Sequence, residues 1–280
     1  MGRATSLRFL QEGASVILVD RDAKALDAVM TGLDPKRAIP SLTDISIPAQ
    51  VRTLLGLTRR HFGTRDVLVN NAGVTAMGTV LDCDPQSWNI VCATILNGTI
   101  DVSRTFLSML INSVGNIVNV ASVSGMRGDW NTAYYDVAKG GVVNLTRVMA
   151  MDHGRTGVRI NAICPSVTRT GMTKDAVKDG AFVKRVEDRI PLGRLGEPED
   201  MVARRDDSMT RRMPEPPRSG KPTGLRKTRK SGRKRALGTD DPVTPMHKIS
   251  GKSPSPRHEC RHVTPLRGAS GQRLLQIPHN

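Results

Sequence analysis

Residues 67–73 have the sequence Val67-Leu68-Val69-Asn70-Asn71-Ala72-Gly73, a short aliphatic run that ends in two amide side chains, an alanine and a glycine. Three further aliphatic runs, at residues 16–19, 117–120 and 158–163, are separated by longer stretches in which apolar residues recur with helical spacing. Strands that are apolar on both faces and alternate with helices are typical of a parallel sheet covered on both sides. The sequence therefore predicts an α/β fold with a doubly wound parallel sheet.

The beginning of this alternating pattern is incomplete. Gly13 and Gly32 follow the first two predicted helices, at positions where helix C-caps usually fall. The first predicted helix precedes the first aliphatic run at residues 16–19, so the pattern opens with a helix, whereas a βαβ unit begins with a strand. We expect the sheet to lack its first strand, which would lie at its centre. The predicted helices cover residues 4–12, 23–31, 48–61, 85–112 and 135–153.

Composition divides the chain into two parts near residue 203. Residues 204–280 contain 19 basic and 6 acidic residues, a net charge of +13, with ten of the 17 prolines and no aromatic residue. Residues 1–203 carry a net charge of only +3 and hold all eight aromatic residues. A segment of the first kind cannot bury enough apolar surface to offset its loss of conformational entropy. We predict a folded domain over residues 1–203 and a disordered basic tail over residues 204–280.

Nothing in the sequence indicates a metal site, a secretion signal or a membrane-spanning helix. The four cysteines and six histidines show no ligand spacing, and no disulfide framework is indicated. The N-terminus lacks the apolar core of a signal peptide, and we find no stretch long and apolar enough to span a membrane. We therefore expect a cytoplasmic protein with reduced cysteines, no metal and no membrane partner.

The pair Tyr135 and Lys139 carries the strongest chemical indication. Residues four apart lie on one face of a helix, and an ammonium beside a phenol favours the phenolate, so this tyrosine could exchange a proton with a substrate oxygen. Taken alone, this spacing occurs by chance in many helices. Ser122 follows the predicted strand at residues 117–120, at the edge of the sheet where ligands bind in open α/β folds, although it could be a simple turn serine.

Asn-Asn-Ala-Gly at residues 70–73, Ser122, and Tyr135 with Lys139, in this order, together resemble the short-chain dehydrogenase/reductase family. The resemblance extends over about residues 2–201. It implies a Rossmann-type fold and an oxidoreductase that transfers a hydride between a nicotinamide cofactor and a secondary alcohol or ketone. It also implies that Tyr135 is the general acid/base, that Ser122 polarises the substrate oxygen, and that Lys139 binds the nicotinamide ribose and lowers the pKa of Tyr135.

The resemblance further implies a set of cofactor-binding residues. Asp20 ends a predicted strand, where its carboxylate would accept hydrogen bonds from the ribose hydroxyls and would repel a 2′-phosphate. NAD is therefore favoured over NADP, although Arg21 limits the preference, and Asp20 could instead cap the next helix. The predicted cofactor-binding residues are Gly2, Asp20, Asp44, Asn71, Ala72, Gly73, Lys139, Pro165 and Thr170.

The sequence departs from the family pattern at three places. Only the last glycine of the family's glycine-rich turn is present, as Gly2. Ile95 stands where the family has a catalytic asparagine, and Asn97, about 200° further around the helix, is no substitute. The resemblance stops after residues 196–200, so we expect the last strand to be missing too. A change of reading frame and a late start codon are our hypotheses for the two ends.

Three alternatives remain open at the level of sequence. The chain could be a catalytically inactive remnant of the family. The basic run at residues 221–235 could bind nucleic acid without sequence specificity, but it lacks aromatic residues for base stacking, and we consider a nucleic-acid partner unlikely. For an intact family member we expect a homo-oligomer that pairs through the helices at residues 85–112 and 135–153.

Overall fold

The computed structural model describes residues 1–63, 66–202 and 273–277. Helices and strands alternate along the described residues as predicted. A π-helical segment, Cys92–Asn97, joins α4 to α5 without a break. The helices are α1 (Gly2–Gln11), α2 (Ala23–Met30), α3 (Pro48–Phe62), α4 (Pro85–Val91), α5 (Gly98–Asn112), α6 (Ser124–Arg127), α7 (Ala133–His153) and α8 (Gly180–Glu187). The strands are β1 (Ser15–Asp20), β2 (Ala38–Leu42), β3 (Val67–Asn70), β4 (Asn116–Val120), β5 (Arg159–Ile163) and β6 (Arg273–Ile277).

The six strands form one sheet in the order β2-β1-β6-β3-β4-β5, and every neighbouring pair is parallel. This confirms the predicted α/β fold with a doubly wound, Rossmann-type sheet. Gly13 and Gly32 have φ angles of 91° and 78°, as expected of glycines that end helices. Within the described residues, β5 lies at one edge of the sheet. The last strand of the family pattern, which we expected to be missing, would come after residue 202, where only residues 273–277 are described.

Helices cover both faces of the sheet and bury its aliphatic side chains. Alternate residues of β1 and β3 point to opposite faces of the sheet, so these strands contribute to both layers. Burying one such side chain contributes about 1.5–3 kcal/mol. Phe106, Leu110 and Ile117 belong to the core beneath α3, α5 and α7, together with Ile17 and Leu68. The core beneath α1 and α2 contains Phe9, Val16, Leu18, Val67 and Val69.

The centre of the sheet, which we expected to be empty, holds a strand from the other end of the chain. β6 lies between β1 and β3, with Leu275 in register with both Ile17 and Leu68. The five residues belong to the predicted disordered tail, whose average composition hides the short aliphatic run Leu274-Leu275-Gln276-Ile277. The remainder of the tail, residues 204–272 and 278–280, lies outside the described residues.

β2 is a further strand that the sequence analysis missed. It contains Pro40 and is not a β-branched run, and both features hide a strand in a sequence. β2 pairs only with β1, at the edge of the sheet, where the missing N–H of a proline is tolerated.

One helical stretch among the described residues, Pro85–Asn112, is long and apolar enough to cross a membrane by length and composition. Our statement from the sequence that no stretch meets this criterion was wrong. Of its most apolar window, 44% is buried in the protein, and Val102, Phe106 and Leu110 pack into the core. A helix that packs against a sheet meets the same criterion, so the finding is weak support for a membrane span.

Candidate active site

Three functional side chains meet beyond the carboxyl end of β4. Ser122 lies two residues after β4, and Tyr135 and Lys139 lie in the first two turns of α7. Gly125 allows this approach, because a Cβ atom there would lie 2.5 Å from the carbonyl carbon of Lys139. The segment that carries Ser122 can therefore pack directly against the backbone of α7, which brings the serine to the tyrosine.

The Tyr135 phenol is partly buried and lies close to the Ser122 hydroxyl. Burial raises the pKa of Tyr135 above its usual 10, the polar contact with Ser122 lowers the pKa, and the neighbouring Asp136 raises it. The sequence argument expected Lys139 to lower this pKa, but in the structure the pKa is raised and desolvation is the largest cause. The phenol is therefore protonated at neutral pH and can donate a hydrogen bond or a proton to a substrate oxygen.

Lys139 is buried beneath the tyrosine. Its Nζ donates a hydrogen bond of 2.7 Å to the backbone oxygen of Val120 and lies 5.7 Å from the centroid of the Tyr135 ring. Burial lowers the pKa of Lys139 from 10.5 to about 8, with a smaller opposite effect from Cys164. Gly73 borders the same ammonium, since a Cβ atom at this glycine would lie 3.6 Å from Nζ. The structure thus brings the Asn-Asn-Ala-Gly turn and the lysine together.

Tyr134, which precedes Tyr135 in the sequence, has a different role. Its hydroxyl donates a hydrogen bond of 2.7 Å to the backbone oxygen of Cys83, and its ring packs on Trp88 with 5.1 Å between centroids. The contacts therefore distinguish the two adjacent tyrosines, and only Tyr135 faces Ser122.

A chain of buried polar side chains, which the sequence analysis missed, supports the site from below. The Asn70 amide donates hydrogen bonds to Ser103 (3.0 Å) and to Asn119 (2.9 Å). Asn119 in turn donates one of 2.9 Å to Thr146 on α7. The chain joins β3, β4, α5 and α7, so it fixes the ends of the two strands that carry the site. Amides within otherwise aliphatic strands were the signal in the sequence.

Ile95 lies in the π-helical segment and belongs to the apolar wall of the site. It is 1% exposed and packs in one cluster with Ala138 and Val142. A Cβ atom at Gly73 would lie 4.0 Å from its Cγ1, so Ile95 and Lys139 border the same glycine. Asn97 is exposed, and within the described structure it does not replace the missing asparagine.

Asp20 lies at a second opening, at the carboxyl end of β1. Its side chain is buried and its Oδ1 accepts a hydrogen bond of 3.0 Å from the backbone of Asp22. The alternative that Asp20 caps α2 does not hold, because Asp22 accepts the cap hydrogen bonds from Lys24 and Ala25. Asp20 lines a cavity of about 200 Å³ together with Met1, Arg3, Thr170, Gly171 and Glu199, among others.

The N-terminus of α1 borders the same cavity. Gly2 is buried at the start of the helix, and burial lowers the pKa of the Met1 ammonium, with a smaller opposite effect from Glu199. Thr170, on another wall, forms a capping box with Thr173. The structure therefore brings Asp20, the start of α1 and Thr170 together around one cavity.

Asp44 and Pro165 have mainly structural contacts. Asp44 accepts hydrogen bonds from the backbone (2.8 Å) and the hydroxyl (2.6 Å) of Ser46, in the turn before α3. Its other oxygen lies 4.0 Å from the guanidinium of Arg21. Pro165 accepts a hydrogen bond of 3.1 Å from the backbone of Val123, which ties its loop to the Ser122 segment.

A comparison with protein families shows which family has a sequence of this kind. Residues 1–204 match a family model described as enoyl-(acyl carrier protein) reductase. The chain belongs to the short-chain dehydrogenase/reductase family. By family it is therefore an oxidoreductase with a Rossmann fold. The match covers the described residues up to Val202, and the spaced motifs of the sequence lie within it.

Individual members of the short-chain dehydrogenase/reductase family show the same relation. Meso-2,3-butanediol dehydrogenase from Serratia marcescens is 42% identical over 203 residues, which are 72% of this chain and 80% of that protein. Among solved structures, the 3-ketoacyl-(acyl-carrier-protein) reductase from Brucella melitensis complexed with NADH has a TM-score of 0.64 at 27% identity and covers 71% of this chain and 81% of that chain. A gluconate 5-dehydrogenase from Burkholderia cenocepacia, in complex with NADP and tartrate, has a TM-score of 0.63 at 27% identity over 71% and 81%.

The residues present fit the nicotinamide cofactor of this dehydrogenase/reductase family. The Asp20 carboxylate opens on a cavity at the end of β1, and Gly73 leaves space beside Lys139 that a side chain would narrow. Within the described residues, no group of three His, Cys, Asp or Glu side chains could hold a metal ion.

Proposed function

We propose that this chain transfers a hydride between NAD and a secondary alcohol or the corresponding ketone. The observation that carries the proposal is the adjacent pair of Ser122 and Tyr135 hydroxyls beside the buried Lys139. A protonated phenol and a second hydroxyl at one point can both donate hydrogen bonds to a single oxygen, which is what reduction of a carbonyl requires.

The residues divide the work as follows. NAD, when bound, supplies the acceptor of the hydride that leaves the alcohol carbon. Ser122 holds the substrate oxygen by a hydrogen bond. In reduction the protonated Tyr135 gives its proton to that oxygen and becomes phenolate, and in oxidation the Tyr135 phenolate takes the hydroxyl proton as the carbonyl forms. Lys139, charged below about pH 8, favours the phenolate that this proton transfer produces.

Asp20 supports a preference for NAD over NADP. A carboxylate at the end of this strand accepts hydrogen bonds from ribose hydroxyls and repels a phosphate. Arg21 opposes the preference, because an arginine next to that position can accommodate a phosphate. Its guanidinium lies 4.0 Å from the carboxylate of Asp44, which partly neutralises it. Gly2, Asn71, Ala72, Gly73, Lys139, Pro165 and Thr170 complete the proposed cofactor site.

Small secondary alcohols form the first substrate class to test. The relative from Serratia marcescens is named for meso-2,3-butanediol, and 42% identity over the shared domain favours a related substrate. A panel of small diols, secondary alcohols and ketones would define the class through the rate of NADH formation or consumption.

We further propose that the protein pairs through α5 and α7, as expected from the family. Exposed aliphatic side chains lie on both helices: Ile100 on α5, and Val137, Val148 and Met151 on α7. Burial of such a stripe favours association. Light scattering on the Val148→Arg variant tests this interface, since the unmodified chain should be a dimer or larger and the variant a monomer.

Replacement of Tyr135 by phenylalanine tests the proposed reaction. We expect the Tyr135→Phe variant to lose about a thousandfold in kcat with NAD, because it removes the proton acceptor from an otherwise intact site. Tyr134→Phe is the matched control, since its hydroxyl bonds only to the backbone of Cys83, and it should keep kcat within a few-fold.

Two outcomes would contradict the proposal. Equal activity of the Tyr135→Phe and unmodified chains would remove the tyrosine from the reaction. Absence of NADH formation across the whole panel, by a chain that is folded and binds NAD, would instead favour the inactive remnant.

A further inference from the structure

The slot between β1 and β3 is a position for a strand with partners on both sides. β1 already pairs with β2, and β3 pairs with β4, along their outer edges. On their inner edges, residues 15–18 of β1 and all four residues of β3 pair with β6. Val16, Ile17 and Leu18 of β1 are completely buried, so backbone groups on this edge have no access to water. A buried backbone donor or acceptor needs a partner, and β6 supplies it.

The composition of residues 273–277 suits such a position. Three of the four residues from Leu274 to Ile277 are leucine or isoleucine, and a strand buried on both faces is typically aliphatic. Pro278 follows directly and cannot donate to a sheet, so it ends the strand. The aliphatic run thus has a length that matches the slot.

The strand also spans the two openings of the proposed site. Gln276 is in register with Leu18, two residues before Asp20, and Ile277 is in register with Asn70, one residue before Asn71. Adjacent strands lie about 4.8 Å apart, so one strand between β1 and β3 sets a separation of about 10 Å between these two edges. Removing it would let the Asp20 edge and the Asn71 edge approach or separate.

We propose that residues 273–277 act as a donor strand that joins β1 to β3 and makes the sheet of residues 1–202 continuous. The acceptor site is the pair of inner edges of β1 and β3, and its occupant is the chain's own C-terminal segment. Integrity of the nucleotide-binding edge then depends on residues at the opposite end of the sequence. The proposal concerns the fold, and its tests need no cofactor and no activity.

Hydrogen exchange in the unmodified full chain is the first test. Amides of residues 274–277 should exchange at least about a hundredfold more slowly than in the free peptide of residues 271–280, because both neighbouring strands close around them. The amides of residues 16–18 and 67–69 should be protected to a similar degree. Exchange of residues 274–277 at the rate of the free peptide would overturn the proposal.

Proline substitution in the full chain is the second test. Leu275→Pro removes an N–H group from the middle of the strand and should lower the unfolding temperature by about 10 °C or abolish the cooperative transition. Leu275→Val is the matched control, because valine keeps the N–H group and suits a strand, and it should leave the transition nearly unchanged. Equal effects of the two substitutions would contradict the donor strand.

A peptide added in trans distinguishes loss of the strand from general misfolding. The synthetic peptide of residues 271–280 should restore the unfolding transition of the Leu275→Pro chain, and a peptide of the same composition in scrambled order should not. Equal rescue by both peptides, or by neither, would count against a specific acceptor slot.

Discussion

The two ends of the proposed site are built in different ways. Ser122, Tyr135 and Lys139, at the catalytic end, come from one continuous stretch that runs from β4 through α7. The opening at Asp20 is built from distant parts of the chain: the start of α1, the end of β1 and the loop at Thr170. The strand that ends at Asp20 pairs in turn with the strand at residues 273–277. The catalytic end therefore depends on local spacing, and the nucleotide end depends on long-range pairing.

This difference predicts that the two ends respond differently to substitution. Changes at the catalytic end should alter chemistry while the fold persists, because the polar chain from Asn70 through Asn119 to Thr146 holds β3, β4 and α7 together beneath it. Changes at the nucleotide end should alter cofactor affinity, because its walls share no such network within the described residues.

Lys139 offers the strongest test of the catalytic end. We expect Lys139→Met to lower kcat about a thousandfold, since the charge that favours the Tyr135 phenolate is lost. The same substitution should stabilise the fold near neutral pH, because the folded chain no longer buries an ammonium. The measurement pairs initial rates with urea unfolding of the same preparations.

The pH dependence of stability tests whether burial of the Lys139 ammonium destabilises the folded chain. Because the pKa of Lys139 is about 8 when folded and 10.5 when unfolded, the unfolded chain binds more protons between these values. The free energy of unfolding should therefore rise by about 3 kcal/mol as pH increases from 8 to 10.5, and Lys139→Met should remove this rise. Lys178→Met, at an exposed ion pair, should keep it. A rise that persists in Lys139→Met would contradict burial as the cause.

The sequence predicts the catalytic end well, because its spacing is local, and predicts the nucleotide end poorly, because it depends on long-range pairing. The strands at 16–19, 67–69 and 117–120 and the helix at 135–153 are all present, because aliphatic runs and helical spacing are local properties. Tyr135 and Lys139 were selected by their spacing, Ser122 by its position after a strand, and their roles by the family resemblance. β2 and β6 were missed, since Pro40 disguises one and a basic, proline-rich tail surrounds the other. Pairing partners distant in sequence leave no periodic pattern.

Electrostatics was the other property that spacing could not supply. The sequence placed an ammonium beside a phenol and predicted a lowered pKa for Tyr135. The structure shows that Lys139 is buried and Tyr135 partly buried, so desolvation raises the pKa of Tyr135 and lowers that of Lys139. Burial depends on the packing of α7 against β4 and the Gly125 segment, and nothing in a Tyr-x-x-x-Lys pattern reports it.

Asp20 tests the nucleotide end with a smaller expected effect. Asp20→Asn should weaken NAD binding by about tenfold to a hundredfold, which is the range for lost hydrogen bonds to a charged group. It should weaken NADP binding less, because the repulsion of the 2′-phosphate disappears as well. Calorimetric titration with both cofactors measures this, and kcat at saturating NAD should change little.

Asp22→Asn is the control for Asp20, because Asp22 only caps α2 and an asparagine caps equally well. It should leave both affinities unchanged. If Asp20→Asn weakened NAD and NADP binding equally, the carboxylate would have no part in the choice between the two cofactors.

Ile95 borders the catalytic end and has the smallest expected effect. In the family an asparagine at this position supports proton transfer, and Ile95 borders Gly73, as Lys139 does. Ile95→Asn should raise kcat about threefold to tenfold, less than a group that transfers the proton directly. It should also lower stability by about 1–3 kcal/mol, because an amide replaces a side chain that is 1% exposed. Ile95→Val keeps the apolar wall and should leave kcat unchanged. Suppose that Ile95→Asn does not raise kcat while Lys139→Met still lowers it. Proton transfer would then run through Tyr135 and Lys139 alone, and the catalytic end would be complete without the asparagine.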